Sequence, residues 1–188
     1  MKITKTIITG LFCLLMVPMF AQTTISGVEL SATQSISGAK LMLNGAGLRE
    51  KLWIDLYVAG LYVESKTSDA KEVVNSKESM NMHLEIVSTL ITRDKFLEAV
   101  NEGFQNATNG NTQKLTREIG LFIAAFKDEF KKGDKIDMFY NSGKGVEVIK
   151  NGKTLTTIPG LEFKRALFAI WFGEKPADKK LKAGILST

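Results

Sequence analysis

The residues from 41 to 64 constrain the fold more than any other part of this chain. Two apolar runs that favour β-strands flank a centre rich in turn-forming residues, Asn44 to Gly47, where the sequence predicts a turn. Arg49 follows this centre. Its guanidinium is permanently charged and carries five donors in a fixed geometry. Arg49 therefore either is solvated at the rim of an apolar surface or pairs with an anion, which could be Glu50, Asp55 or a bound ligand.

The N-terminal residues 1–21 predict export. The first five residues carry two lysines and no acid, residues 6–20 are apolar, and a small residue follows. This order is typical of a secretory signal peptide. A membrane anchor is the alternative, but Gly10 and Pro18 interrupt the apolar run, which is shorter than the ~20 residues that a span needs. We therefore expect cleavage before Gln22 and a periplasmic or secreted protein with no stable membrane span.

The composition of the remaining residues, 22–188, predicts one domain without disulfides. Cys13 is the only cysteine, and it lies in the predicted signal peptide. Loss of the signal peptide removes two lysines and no acids, so the formal net charge falls from +5 to +3. The charges are spread along the chain, and no basic cluster alternates with aromatic residues. We therefore expect no nucleic-acid partner.

The hydrophobic periodicity predicts an α+β fold. Strands come first, then two helices, a strand meander and two more helices, which is typical of a large antiparallel sheet with helices packed on one face. A cleft between these layers could hold an apolar ligand. The predicted strands are 28–30, 40–43, 53–63, 81–87, 135–140, 145–149 and 154–158, and the predicted helices are 68–76, one beginning after Thr92, 116–132, 163–171 and one from Pro176 through Ile185.

Two motifs resemble those of the chalcone isomerase-like family, in its secreted bacterial branch. The first is LNGAGLR at residues 43–49, followed by YVAGLYVE at 57–64. The second is ALFAIWFG at 166–173, followed by Pro176 and Asp178. The resemblance covers nearly all of residues 22–188. It implies an open-faced β-sandwich, in which a large antiparallel sheet is backed by helices, and this agrees with the pattern of strands and helices above.

The resemblance also implies that the chain has no catalytic residues for chalcone cyclisation. Chalcone isomerases hold the substrate oxyanion with the motif arginine, assisted by a threonine, a tyrosine, an asparagine and a late serine or threonine. Arg49 matches the arginine, but Tyr57, Phe96, Gly103 and Lys164 stand at the other positions. An electrostatic clamp without its partners loses much of its transition-state stabilisation.

The same replacements resemble the fatty-acid-binding branch of the family, where an arginine and a tyrosine hold a carboxylate. Arg49 and Tyr57 fit that pair, and Phe96 and Lys164 complete the set of candidate ligand-binding residues. A guanidinium can grip a carboxylate with two hydrogen bonds, and an alkyl tail gains roughly 0.8 kcal/mol per buried methylene. The resemblance thus implies a non-catalytic protein that binds a small amphipathic acid or lipid, such as a fatty acid.

Two other functions are consistent with the sequence. The protein could be an isomerase or intramolecular lyase for an enone-like substrate, with Arg49 stabilising an oxyanion. It could also be an accessory protein that contacts an envelope partner through a fold with a filled core. We predict no metal and no cofactor, because His83, the single histidine, lies on a polar strand face that we expect to be exposed, and one histidine without cysteine makes no recognisable zinc site.

The predicted processing can be tested directly. We expect the protein isolated from the cell envelope to begin at or near Gln22, because the charged, apolar and small-residue segments before it have the order that signal peptidase recognises. Intact-mass measurement and N-terminal sequencing would locate the first residue. An envelope protein that still begins at Met1 would support the membrane anchor instead.

Overall fold

The computed structural model describes residues 22–187, so the predicted signal peptide and Cys13 lie outside the described residues. The described elements alternate in the predicted order of strands, helices, strands and helices. They are β1 Gln22–Ile25, β2 Val28–Ser31, β3 Thr33–Ile36, β4 Ala39–Lys51, β5 Ile54–Val63, α1 Ala70–Asn75, β6 Met80–Ile86, α2 Arg93–Ala107, α3 Thr116–Ala125, β7 Lys135–Asn141, β8 Gly145–Lys150, β9 Lys153–Ile158, α4 Leu161–Phe172 and α5 Lys179–Leu186.

Seven strands form one curled antiparallel sheet. Strands β3 to β9 lie side by side in chain order, each antiparallel to the next, and β1 and β2 form a separate hairpin. The helices pack on one side of the large sheet. This arrangement confirms the predicted α+β fold with helices on one face of an antiparallel sheet.

The main core lies between this face and the helices. Met80, Met82, Leu84 and Ile86 alternate along β6 and are all buried there, as expected for a strand with one face in the core. The helical side of the core is rich in aromatic rings, which are contributed by Phe104, Phe122, Phe163, Phe168 and Trp171. On the opposite face, Val28 and Leu30 of the small hairpin cover Val58 and form a second, smaller cluster.

The glycine-rich centre at Asn44–Gly47 is not a turn, which corrects the prediction. It lies inside β4, and Asn44 is the extra residue of a β-bulge between the pairs Leu43–Tyr62 and Gly45–Leu61. A Cβ atom on Gly45 would come within 2.8 Å of the carbonyl carbon of Ile185 in α5. The absence of side chains in β4 therefore lets the backbone of α5 approach the strand.

Side-chain hydrogen bonds fix the bulge in place. Asn44 is 2% exposed, and its amide donates to the carbonyls of Ile185 at 2.9 Å and Thr67 at 3.0 Å. Its side-chain oxygen accepts the Thr67 N–H at 2.8 Å. The asparagine and glycines that resemble a turn in the sequence thus serve a bulge and a close helix contact.

Two predicted boundaries also differ from the structure. Helix α3 ends at Ala125, not near Lys132, because Phe126 leaves the helical conformation with φ −92° and ψ 87°. Phe126 and Phe130 still face the core, but from an irregular segment. Trp53 is not the first residue of β5, because it lies in the turn before that strand.

The contact between β4 and α5 gives a first prediction. Gly45→Ala should lower the free energy of unfolding by about 1–3 kcal/mol, the usual cost of overpacking a tight contact, because the new methyl would overlap the backbone of α5. Gly120→Ala is the matched control. A Cβ atom there meets nothing within 4 Å, and alanine favours a helix over glycine by up to ~1 kcal/mol. Chemical denaturation would measure both values, and equal stability of the two variants would contradict the proposed contact.

Candidate functional site

Arg49 and Tyr57 lie side by side at the end of the sheet nearest the β4–β5 turn. They are a directly opposed pair in the antiparallel register of β4 and β5, so both side chains project from the same face. Tyr57 packs against the main core, which places the pair on the helix side of the sheet. The structure thus brings together the two candidate residues that could act on one carboxylate.

The described partner of the Arg49 guanidinium is Asp178, at the beginning of α5. Nη1 of Arg49 donates to Oδ2 of Asp178 at 2.9 Å, and the two side chains are 21% and 13% exposed. Glu50 and Asp55, the partners that the sequence suggested, are engaged elsewhere: Glu50 pairs with Lys180 at 3.0 Å, and Asp55 accepts a hydrogen bond from Ser26 at 2.6 Å. No local pattern could have revealed a pairing across 129 residues.

Asp178 has a second role as the N-cap of α5. Its Oδ1 accepts the backbone N–H of Leu181 at 2.9 Å, which satisfies one of the donors at the helix terminus. Burial alone would raise the pKa of this carboxyl, but the hydrogen bonds from Leu181 and Arg49 and the charge of Arg49 outweigh it, so the pKa of Asp178 lies below its ordinary value. Asp178 is therefore ionised at neutral pH and ties α5 to β4.

The hydroxyl of Tyr57 is held by Trp171, a residue that the sequence analysis did not single out. The indole N–H of Trp171 donates to the Tyr57 oxygen at 3.1 Å. Burial raises the pKa of Tyr57, and the opposing effects of Trp171 and the Arg49 charge do not cancel it. Because the Tyr57 oxygen is the acceptor in this bond, its own O–H proton remains available to another acceptor.

Arg49 also keeps donors that the protein does not use. Its Nη1 atom bonds to Asp178 and, at 3.3 Å, to the carbonyl of Glu50. The guanidinium also lies near the Tyr57 oxygen, where it acts to lower the pKa of that phenol, and among residues 22–187 its Nε and Nη2 atoms form no ion pair with a carboxylate. Together with the Tyr57 proton, these N–H groups form a set of donors that an anion could accept from.

Phe96 lies in an aromatic cluster with Phe126 and Phe130. Its ring centroid is 4.4 Å from that of Phe130 and 5.0 Å from that of Phe126. Lys150 extends over Phe130, with its Nζ atom 4.5 Å from the ring centroid. In this structure Phe96 thus contributes apolar packing between α2 and the segment after α3.

The side chain of Lys164 is completely buried and caps the C-terminal end of α1. Its Nζ donates to the carbonyls of Val73 at 2.6 Å, Val74 at 3.0 Å and Ser76 at 3.0 Å. Burial, together with the neighbouring charge of Arg165, lowers the pKa of Lys164 to about 8. Its three donors are thus occupied by backbone carbonyls.

The structure does not bring Lys164 to the Arg49 pair. Lys164 and Trp171, the partner of Tyr57, lie seven residues apart on α4, which corresponds to about 10 Å along a helix.

Gly103 lies at a close contact between α2 and α4. A Cβ atom there would meet Cγ2 of Ile170 at 2.9 Å. The glycine that replaces the family asparagine thus lets Ile170 fill the space between the two helices.

Two surface depressions lie outside the Arg49 pair. A groove of about 210 Å³ runs between α2 and α3, and a depression of about 10 Å³ lies beside α1; neither is lined by Arg49 or Tyr57.

Residues 22–187 contain no group of three or more histidine, cysteine, aspartate or glutamate side chains placed to hold a metal ion. Within the same residues, no helix has both the length and the apolar character needed to cross a membrane.

His83 is not exposed, which corrects the sequence-based expectation. Its Nδ1 lies 2.8 Å from Oδ1 of Asp137, and the two side chains are only 12% and 13% exposed. Asn81 and Gln34 donate to the same carboxylate oxygen at 2.7 Å and 3.3 Å. Burial opposes these hydrogen bonds but does not outweigh them, so the pKa of Asp137 lies below its ordinary value.

Comparison with known proteins places the chain in a family. The sequence model described as chalcone isomerase-like matches residues 22–187. No curated protein sequence matches the chain significantly. Among solved structures, the Arabidopsis thaliana fatty-acid binding protein AtFAP1 is similar, with a TM-score of 0.70 and 20% sequence identity over 88% of this chain and 96% of that chain. At this level of identity the similarity concerns the fold.

The Arg49–Asp178 pair gives a prediction for the dependence of stability on pH. A carboxyl whose pKa is lowered by folding adds stability above its ordinary pKa of 3.8, and this stability is lost as the pH falls through the lower, folded pKa. Asp178→Asn keeps a good N-cap but loses the charge. At pH 7 it should cost about 0.5–1.5 kcal/mol.

As the pH falls below about 4, the free energies of unfolding of the wild type and of Asp178→Asn should converge, because protonation of Asp178 removes its charge from the wild type as well. Denaturant titrations across the acid range would measure this. Asp128→Asn, at an exposed position, is the control and should follow the wild-type curve throughout. A constant offset between wild type and Asp178→Asn from neutral pH to strong acid would show that the charge of Asp178 contributes nothing.

Proposed function

The chain belongs to the chalcone isomerase-like family, and we propose that it is a non-catalytic binder of small amphipathic carboxylates such as fatty acids. One observation carries the proposal. Arg49 and Tyr57 are opposed on neighbouring strands in a partly buried position, and each keeps donors that no described residue accepts. Donors of this kind suit a carboxylate, since charge-assisted hydrogen bonds are roughly twice as strong as neutral ones.

The protonation states around Arg49 support binding over catalysis. Tyr57 has a raised pKa and stays protonated at neutral pH, whereas Asp178 has a lowered pKa and stays ionised. General acid–base catalysis favours a group whose pKa lies near the working pH, and neither residue meets this condition. Two of the four family positions that assist the arginine hold Phe96 and Gly103, which cannot transfer a proton, and the Lys164 ammonium at a third is occupied by backbone carbonyls of α1.

In the proposed complex, the ligand carboxylate accepts from the free nitrogens of Arg49 and from the Tyr57 hydroxyl. Trp171 holds the Tyr57 oxygen at 3.1 Å and so directs the remaining proton of the phenol. Asp178 already provides one carboxylate to the guanidinium. We propose that Asp178 acts as an internal competitor, so that a ligand must share Arg49 with Asp178 or displace it. Displacement would also loosen α5, because Asp178 caps that helix.

Two contacts favour a second candidate function, an accessory protein with a filled core. Ile170 occupies the space beside Gly103, and Asp178 satisfies the charge of Arg49. In that case the Arg49 pair would serve only to fasten α5. Measurements of ligand binding separate the two functions, because an accessory protein of this kind has no affinity for free acids.

The cellular location belongs to the same proposal. We propose that residues 1–21 direct export and that the protein acts in the periplasm or outside the cell, as expected for a basic, apolar and small-residue segment at the N-terminus. There the protein would meet amphipathic acids released from envelope lipids.

Calorimetric titration with a series of fatty acids and their methyl esters tests the binding proposal. Arg49→Ala should weaken acid binding by roughly 1.5–3 kcal/mol, the range for hydrogen bonds to charged groups, and Tyr57→Phe by about 0.5–1.5 kcal/mol, because it removes one neutral donor. Asp178→Asn should strengthen acid binding, because it removes the competing charge. Wild-type protein should bind esters more weakly than acids, and Arg49→Ala should hardly distinguish them.

Two control variants distinguish a loss of ligand contacts from a loss of folding. Arg117→Ala removes an exposed arginine from α3 and should leave acid affinity unchanged. The double variant Arg49→Gln/Asp178→Asn removes both charges together, so that no buried carboxylate is left unpaired, and should bind acids as poorly as Arg49→Ala. Equal affinity of the wild type for acid and ester, or no affinity for either, would refute the proposal and favour the accessory protein.

A further inference from the structure

The β4–β5 turn breaks a rule that the other tight turns of this protein obey. Four hairpins are closed by two residues, and in all four both residues have positive φ. This conformation strongly favours glycine and asparagine. Three of the turns have a small polar residue followed by glycine, whereas one has two large apolar residues: the pairs are Ser26-Gly27, Ser37-Gly38, Asn151-Gly152 and, in the β4–β5 turn, Leu52-Trp53.

The fold gains no packing from this choice of residues. Leu52 and Trp53 have φ values of 51° and 67°, where large side chains are strained. Both extend into solvent, with exposures of 81% and 98%. No residue of the described chain accepts a hydrogen bond from the Trp53 indole. An outlier of this kind, maintained without internal compensation, points to a function outside the fold.

Further apolar side chains are exposed at the same end of the sheet. Ile54 begins β5 and is 39% exposed, and Leu90 is 51% exposed in the loop between β6 and α2. This loop lies beside the beginning of β5, because the N–H groups of Val87 and Ser88 donate to the carbonyl of Leu56 at 3.0 Å and 3.2 Å. Among residues 22–187, four of the six exposed large apolar side chains are at this end.

Lysines surround this apolar tip. Lys51 directly precedes the turn and is exposed. The ammonium of Lys95 lies 3.3 Å from the carbonyl of Leu90, and that of Lys180 lies 3.0 Å from Glu50 while its side chain is 85% exposed. Asp55, the other acid of this hairpin, accepts a hydrogen bond from Ser26, and Asp94, which is 90% exposed beside Lys95, lies 3.4 Å from Arg93. The tip therefore combines a protruding apolar turn with cations that can meet an anionic surface.

We propose that the Leu52–Trp53 turn inserts into the interfacial layer of a phospholipid bilayer, with Lys51, Lys95 and Lys180 against anionic headgroups. Tryptophan favours this layer because its ring is apolar and its N–H is polar. A protruding hairpin tip suits a soft surface, whereas binding a peptide would call for a groove. The attachment would be peripheral and would depend on lipid charge and salt. The inference does not rest on the proposed acid site.

Vesicle cosedimentation tests the inference. We expect the purified protein to bind vesicles of equal parts phosphatidylglycerol and phosphatidylcholine, and to bind phosphatidylcholine vesicles or any vesicle at high salt more weakly. The tryptophan emission should shift to shorter wavelength on binding. Leu52→Asn/Trp53→Gly gives the turn its preferred residues, so it should unfold at the same or a higher temperature than the wild type.

The same variant should bind vesicles at least about tenfold more weakly, because burial of one large apolar side chain is worth roughly that factor. It retains Trp171, so it should also show no emission shift. Leu121→Asn removes an exposed leucine from α3 and is the matched control, with unchanged binding. Wild-type protein that binds neither vesicle, or a turn variant that binds as tightly as the wild type, would overturn the inference. Self-association of the protein without lipid that protects Trp53 from a quencher would also overturn the inference, because the turn would then contact a second copy of the chain.

Discussion

The close approach of α5 to β4 is the contact on which the candidate site depends. A Cβ atom on Gly45 would overlap the backbone of Ile185, one on Gly47 would lie 2.9 Å from the Leu181 side chain, and one on Gly184 would lie 3.1 Å from the carbonyl oxygen of Ala46. Helix and strand therefore approach closely along this contact. Asn44 fastens the contact from the strand by donating to the carbonyl of Ile185. Because α5 is fixed in this position, its N-cap Asp178 comes within 2.9 Å of Arg49. The electrostatics of the site thus follow from the positions of three glycines.

Sequence periodicity is sufficient to predict the sheet and helix layers of the fold, but it does not predict the bulge in β4 or the long-range partners of Arg49 and Tyr57. The alternation of β6 and the apolar stripes of the helices identified the elements, because burial on one face imposes a period that a short window reveals. The sequence of residues 44–47 predicts a turn, although it forms a bulge, because bulges and turns draw on the same small and polar residues. Which of the two forms is decided by α5, some 140 residues later. Trp171 and Asp178 were missed as partners for the same reason: a hydrogen bond between distant residues leaves no local pattern.

The structural role of Arg49 and its proposed ligand-binding role depend on one interaction. A partly buried guanidinium needs an anion, since removal of a charge from water without a partner is costly. Asp178 supplies that anion in the structure, and a ligand carboxylate would offer the same chemistry to the same donors. In the proposed complex, the affinity for a carboxylate would equal the strength of its own contacts minus the strength of the Asp178 contact that it weakens. A protein built in this way can be stable without ligand and still bind one, with α5 as the element that responds.

Three features of this chain are energetically unfavourable on their own, and they differ in which contacts offset the cost. Lys164 is a buried cation, but three carbonyls at the end of α1 accept hydrogen bonds from its ammonium group. Arg49 is a partly buried charge, but Asp178 neutralises it. Leu52-Trp53 combines left-handed backbone with full exposure, and no contact among residues 22–187 offsets the cost. Natural sequences depart from local rules chiefly where function requires it. The first two departures are therefore explained by the fold itself, and the third is the one that the proposed bilayer contact would explain.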